Sequence, residues 1–185
     1  MNLPNRLTLA RIIMIPVFVV LASIPNIACQ IAALVVFAAA CFTDFLDGNI
    51  ARKNNLVTNF GKFADPIADK LLITGAYVVL VGQGRMPAWV CIVFLAREFI
   101  ISGFRLVASG SGTVIAAAML GKIKTVTQMI SSILLILLVP FGGMEPLMGM
   151  FGVVIANIAM YIALVMTVWS GADYIWKGRE FLKDM

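Results

Sequence analysis

Long apolar blocks alternate with short polar interruptions along the whole chain. A helix needs roughly 20 apolar residues to cross a bilayer, and blocks of about that length fall near 8–25, 30–48, 65–83, 87–108, 121–140 and 148–176. The breaks carry turn formers, as in Ile24-Pro25-Asn26, Gly82-Gln83-Gly84 and Pro140-Phe141-Gly142-Gly143, where proline and glycine punctuate regular structure. The pattern predicts six transmembrane helices, with Pro16 placed to kink the first. Ahead of them, Asn2-Leu3-Pro4-Asn5-Arg6-Leu7-Thr8 mixes polar and apolar residues. Pro4 suits a helix start, and the stretch is expected to lie at the membrane interface.

Composition sharpens this into an all-α integral membrane protein. The chain has 185 residues, of which 62% are hydrophobic and 12% charged, with a mean hydropathy of +1.02. Soluble domains average about 45–50% apolar and about 25% charged. The length suits one domain over residues 1–185. Arg6 and Arg11 precede the first apolar block in the manner of a signal peptide, but that block is read as a membrane span. Histidine is absent, which removes Ser/His and Cys/His catalysis and every His-bound zinc site. Cys29, Cys41 and Cys91 are widely spaced in apolar stretches and read as small hydrophobes.

Basic residues set the orientation. Arg6 and Arg11 stand in the N-terminal part, Arg52, Lys53 and Lys62 between the second and third blocks, Lys122 and Lys124 before the fifth, and Lys177, Arg179 and Lys183 in the tail. Six spans put all of these on one side, which the positive-inside tendency makes cytoplasmic together with both termini. The opposite connections hold Arg85 and Glu145. A net charge of +5 suits an anionic lipid leaflet, and no aromatic-basic interleaving points to nucleic acid.

Within this oily chain, the 28 positions of TDFLDGNIARKNNLVTNFGKFADPIADK, from Thr43 to Lys70, hold four of the nine acidic residues. Asp44 and Asp47 are three apart at the end of one apolar block, and Asp65 and Asp69 four apart at the start of the next. Each pair shares a helical face, and the short polar link makes the two helices antiparallel neighbours. Burying even one such charge costs several kcal/mol. Two hard divalent cations on oxygen ligands would balance four carboxylates, and paired metals typically handle phosphoryl groups. Ion pairs with Arg52, Lys53, Lys62 and Lys70 are the simpler alternative. Gly48, Ala51 and Gly61 are small enough for a ligand to approach the backbone, or for helices to pack closely. Arg52 offers a fork of donors suited to phosphate. Intramembrane carboxylates also mark ion pathways, which keeps a divalent-cation transporter as an alternative from another class.

These residues resemble the signature of the CDP-alcohol phosphatidyltransferases, D-x2-D-G-x2-A-R-x8-G-x3-D-x3-D, which reads here as Asp44, Asp47, Gly48, Ala51, Arg52, Gly61, Asp65 and Asp69 with every spacing kept. The resemblance implies a six-helix membrane homodimer that uses two Mg2+ or Mn2+ ions to transfer a phosphatidyl group from CDP-diacylglycerol to an alcohol, releasing CMP. It also implies that Asp44, Asp47, Asp65 and Asp69 hold the metals. Gly48, Arg52, Thr58 and Gly61 would meet the CDP-diacylglycerol headgroup, and Asp69 would be the general base.

The acceptor must be read elsewhere. In REFIISGFRLVASGSGTVIAAAMLGKIKTVTQ, from Arg97 to Gln128, Arg97 and Glu98 interrupt the fourth apolar block, Arg105 lies two turns further on, and Lys122 and Lys124 open the next block. Charges inside a span are functional candidates, although Arg97 and Glu98 can also pair with each other or with neighbours. Arg97, Arg105, Lys122 and Lys124 are expected to bind a phosphate-bearing acceptor. The run is similar to that of bacterial phosphatidylglycerophosphate synthases, as are NLPNRLTLARI and GKFADPIADKLL. That resemblance implies sn-glycerol 3-phosphate as acceptor at the cytoplasmic face of a bacterial cell membrane. Inositol phosphate, serine and phosphatidylglycerol are the competing acceptors.

Overall fold

The computed structural model describes residues 3–53, 59–110, 119–140, 142–143, 145 and 148–179, with side chains at 3–4, 44–53, 59–60, 62–63, 65–66, 69 and 109–110 outside the description. Among the described residues there are six helices and no strand: α1 (Leu3–Ala22), α2 (Ile27–Lys53), α3 (Asn59–Gly82), α4 (Ala88–Gly110), α5 (Met119–Leu138) and α6 (Gly149–Lys177). Each matches one expected apolar block. The N-terminal stretch is not a separate element: it forms the opening turns of α1, which continues through Pro16.

Among the described residues, α1, α5 and α6 are long and apolar enough to cross a membrane. The helices α2 and α3 run through the aspartate segment as well as through their apolar blocks. Arg97, Glu98 and Arg105 interrupt α4.

The packing contacts give the direction of each helix. Gln30 near the start of α2 meets Arg85 just after α3, so α2 and α3 run antiparallel. Tyr77 on α3 stacks against Phe94 on α4 with ring centroids 5.1 Å apart. Gln128 on α5 bonds Thr167 on α6. Both α2 and α3 pack on α1, and α6 packs on α4 and α5. The aspartate-bearing ends of α2 and α3 therefore share one end of the bundle with the end of α4, the start of α5 and the end of α6. The other end holds the connections at 23–26, 83–87 and 139–148. There Gly142 has φ +63°, and a Cβ on it would overlap Pro25.

Lipid offers no hydrophobic drive between helices, so close packing by small residues must supply the contact energy. Ala156, Met160, Ala163, Thr167 and Ser170 recur at spacings of four, three, four and three on α6 and are buried. Ala33, Phe37 and Ala40 form a similar stripe on α2, and Phe37 meets Phe18 of α1 with centroids 5.4 Å apart. The large apolar side chains elsewhere, such as Val20, Ile92, Leu106, Phe151 and Val165, point outward. This inversion suits a bilayer rather than water.

The end away from the aspartates, nearly featureless in sequence, holds a buried polar knot. Gln30 Nε2 donates to the carbonyls of Ala22 at 2.7 Å and Ile24 at 2.9 Å. The Gln83 amide also donates to Ala22 O. Arg85 Nη1 donates to Gln30 Oε1 at 2.7 Å and Gln83 Oε1 at 3.0 Å. The knot satisfies the exposed carbonyl end of α1 and ties α1, α2 and α3 together at the end opposite their functional residues. Burial pushes the Arg85 guanidinium down to about 10, so it stays charged at neutral pH.

Arg85→Met should therefore strand the buried amide oxygen of Gln30, with the half-buried one of Gln83 partly open to water, and cost about 1–3 kcal/mol. A thermal unfolding midpoint in detergent that falls by several degrees is the expected result. An unchanged midpoint would show that the knot does not stabilise the bundle.

Candidate active site at the aspartate-bearing end

The helical backbone runs through both aspartate pairs. Asp44 and Asp47 lie on α2 and Asp65 and Asp69 on α3, which makes the three- and four-residue spacings same-face spacings. The side chains of these four aspartates, with the surroundings of Gly48 and Arg52, lie outside the described residues, and so does Thr58 altogether. Gly61 is buried on the first turn of α3. Among the described residues no group of three metal-ligating side chains occurs. The donor set itself is all oxygen, on two antiparallel helices whose carrying ends are neighbours, and this fits hard divalent cations.

Two features of this region were not singled out by sequence patterning. Arg6 and Arg11 counted equally as topology signals, yet Arg6 is exposed while Arg11 is fully buried, on one face of α1 with buried Asn5 and Thr8. Their three-residue spacing was the available signal. The second feature is a cleft of about 120 Å³ beside the aspartate segment, between α2, α3, α4 and α5. Lys70, Glu98, Lys124, Thr125 and Gln128 contribute its polar lining and Cys41 part of its wall.

The four bases expected at the acceptor side take different positions. Lys124 is buried and in contact with Glu98 at the cleft. Arg97 Nη1 lies 3.6 Å from the same Glu98 oxygen. Gly171 of α6 gives the Arg97 side chain room, since a Cβ there would come within 3.2 Å of Arg97 Cγ, and Gly121 of α5 faces its Nη2 at ordinary contact distance. Arg105 turns instead towards α6, donating from Nε to the Tyr174 hydroxyl at 3.1 Å, with its guanidinium 5.2 Å from that ring. Lys122 is exposed and does not line the cleft. Arg97, Glu98 and Lys124 are thus one connected group, and Arg105 adjoins it through α6. The simpler alternative, in which Arg97 and Glu98 pair with each other or with neighbours, is seen here, with Lys124 as the second partner of Glu98. Asp173, which the motif leaves unexplained, pairs with Lys177 one turn on at 2.8 Å.

Comparison with known proteins identifies the family. A CDP-alcohol phosphatidyltransferase family model matches residues 1–169. The chain is 44% identical to the CDP-diacylglycerol–glycerol-3-phosphate 3-phosphatidyltransferase of Bacillus subtilis (strain 168), over 98% of this chain and 97% of that protein. It is 39% identical to the protein of that name from Rickettsia typhi, over 94% of each chain. It is also 39% identical to a probable phosphatidylglycerophosphate synthase of Mycobacterium tuberculosis (strain H37Rv), over 94% of this chain and 80% of that one. With the signature spacing intact on α2 and α3 and the family match covering nearly all of the bundle, the chain belongs to the CDP-alcohol phosphatidyltransferase family.

Proposed function

We propose that this protein transfers the phosphatidyl group of CDP-diacylglycerol to sn-glycerol 3-phosphate, giving phosphatidylglycerophosphate and CMP. The observation that carries the reading is the unbroken aspartate signature on neighbouring ends of α2 and α3, in a chain 44% identical to a phosphatidyltransferase named for that donor and acceptor. The acceptor side is supported by the base-rich group beside that segment. Arg97, Arg105 and Lys124 suit a phosphate-bearing acceptor, which serine and inositol are not, and inositol phosphate is the closest competitor. Exposed Lys122 would add long-range attraction only.

In the mechanism, Asp44, Asp47, Asp65 and Asp69 would hold two divalent cations, Mg2+ or Mn2+, which when bound polarise the donor diphosphate and stabilise its developing charge. Gly48 and Gly61 would let the CDP headgroup approach the backbone, Thr58 would contact it, and Arg52 would donate to its phosphates. The acceptor's primary hydroxyl oxygen attacks the phosphorus that carries the diacylglycerol. A P–O bond forms there while the bond to the oxygen kept by CMP breaks. Asp69 would take the hydroxyl proton, as the family resemblance implies; a carboxylate is one of the bases a chain without histidine leaves available. Arg97, Arg105 and Lys124 hold the acceptor phosphate away from the reacting centre and so fix which hydroxyl attacks.

The site would face the cytoplasm of a bacterial cell membrane, where the bases gather on the same end. Residues 1–185 would act as one domain, and the enzyme as a homodimer.

The test is CMP release by purified protein in detergent with CDP-diacylglycerol and Mg2+, comparing glycerol 3-phosphate, inositol phosphate, inositol and serine. Release with glycerol 3-phosphate alone is expected. Release with another acceptor alone would keep the donor site and overturn the acceptor assignment. No release from folded protein would favour cation transport instead. Asp69→Asn should lower turnover by about 10²-fold or more while CDP-diacylglycerol still binds, and ordinary turnover in that variant would remove Asp69 as the base.

A further inference from the structure

Glu98 is the acid at the centre of the base-rich group. Of the acids whose side chains are described, Asp173 is taken up by Lys177 and Glu145 lies in the opposite connection. Glu98 on α4 reaches Lys124 Nζ on α5 and stands 3.6 Å from Arg97 Nη1. Its side chain is 20% exposed, against 3% for Lys124, and both line the cleft that Lys70 borders from α3.

An ammonium buried in a bundle wall needs a counter-charge, or it pulls back to water on its flexible stem. The Glu98 carboxylate supplies that charge and fixes the Nζ at the cleft. It also carries a charge of the same sign as a phosphate, so it weakens the net attraction for the acceptor. A residue kept for attraction alone would not be an acid here. Its useful effect is geometric: it holds the Lys124 ammonium of α5 at a fixed point beside α4.

We propose that Glu98 is a positioning residue of the acceptor site, acting through Lys124. It aligns the cationic wall of the α3–α4–α5 cleft for a phosphate-bearing acceptor without itself taking part in the chemistry. The inference rests on the acceptor reading above and adds a residue to it.

The experiment compares Michaelis constants for both substrates in wild type, Glu98→Gln, Lys124→Met and the double variant, each purified as folded protein. Glu98→Gln should raise KM for glycerol 3-phosphate about tenfold, a typical coupling for a contacting pair, with KM for CDP-diacylglycerol within about twofold. In the Lys124→Met background the same substitution should change KM for glycerol 3-phosphate by less than about twofold, because its partner is already gone.

Equal rises in both constants would mean that Glu98 merely supports the fold, and an undiminished effect without Lys124 would mean that it acts elsewhere. Either result overturns the proposal, as does an unchanged KM. If Glu98→Gln does not fold, Glu98→Asp serves. It keeps the charge but withdraws the carboxylate by one methylene, and an unchanged acceptor KM in it is equally contrary. Wild-type protein that turns over only another acceptor would overturn the acceptor reading itself, and the same comparison made with that acceptor would then judge Glu98.

Discussion

Four carboxylates cannot share one end of a membrane-embedded bundle without positive charge to answer them. Bringing ionised groups out of water costs several kcal/mol each, and like charges at close range add to that. This constraint organises the rest of the molecule. Both aspartate pairs stand on helical backbone, on α2 and α3. The constraint accounts for the small residues among the aspartates, since anything positive enough to compensate must come close to the backbone. In the proposed function, divalent cations on oxygen ligands would answer the charge where the flanking bases alone would leave it loosely compensated.

The same rule operates with opposite sign one helix further on. Arg97, Lys124 and Arg105 bring positive charge into a bundle with few described acids nearby, and each is held by a specific device. Arg97 is housed by the absence of a side chain at Gly171. Lys124 is held by Glu98, and Arg105 by the hydroxyl and ring face of Tyr174. Since α4 and α6 both carry parts of this group, the close packing of α6 on α5 fixes chemistry as well as fold. At the opposite end, the Gln30, Gln83 and Arg85 knot holds α1, α2 and α3 at a fixed spacing. It thereby limits how far their functional ends can splay.

Much of this was legible in the sequence because a bilayer imposes length and the aspartate signature imposes spacing. All six apolar blocks became helices, and the boundaries moved by a few residues, mostly where polar turns prolong a helix. The Arg97–Glu98 contact was foreseeable from two adjacent charges in an apolar run. The partnership of Glu98 with Lys124 was not, since the two are 26 positions apart and meet only when α4 and α5 pack. Gln30 and Arg85 are 55 positions apart and have no periodic signature, so their knot was invisible. Arg11 and Arg6 looked alike because composition does not record which face of α1 is buried. Gly171 gave no sign of its role, because small residues on a membrane helix usually mean packing alone.

The central claim is that the aspartates of α2 and α3 hold divalent cations, and the most direct measurement is a count of bound Mn2+ by electron paramagnetic resonance. It would be made on folded protein with CDP-diacylglycerol and no acceptor, for wild type and Asp65→Asn. The account predicts about two Mn2+ per chain for wild type and a clear loss in the variant. Wild-type protein that binds CDP-diacylglycerol without taking up Mn2+, or uptake that ignores the substitution, would contradict it.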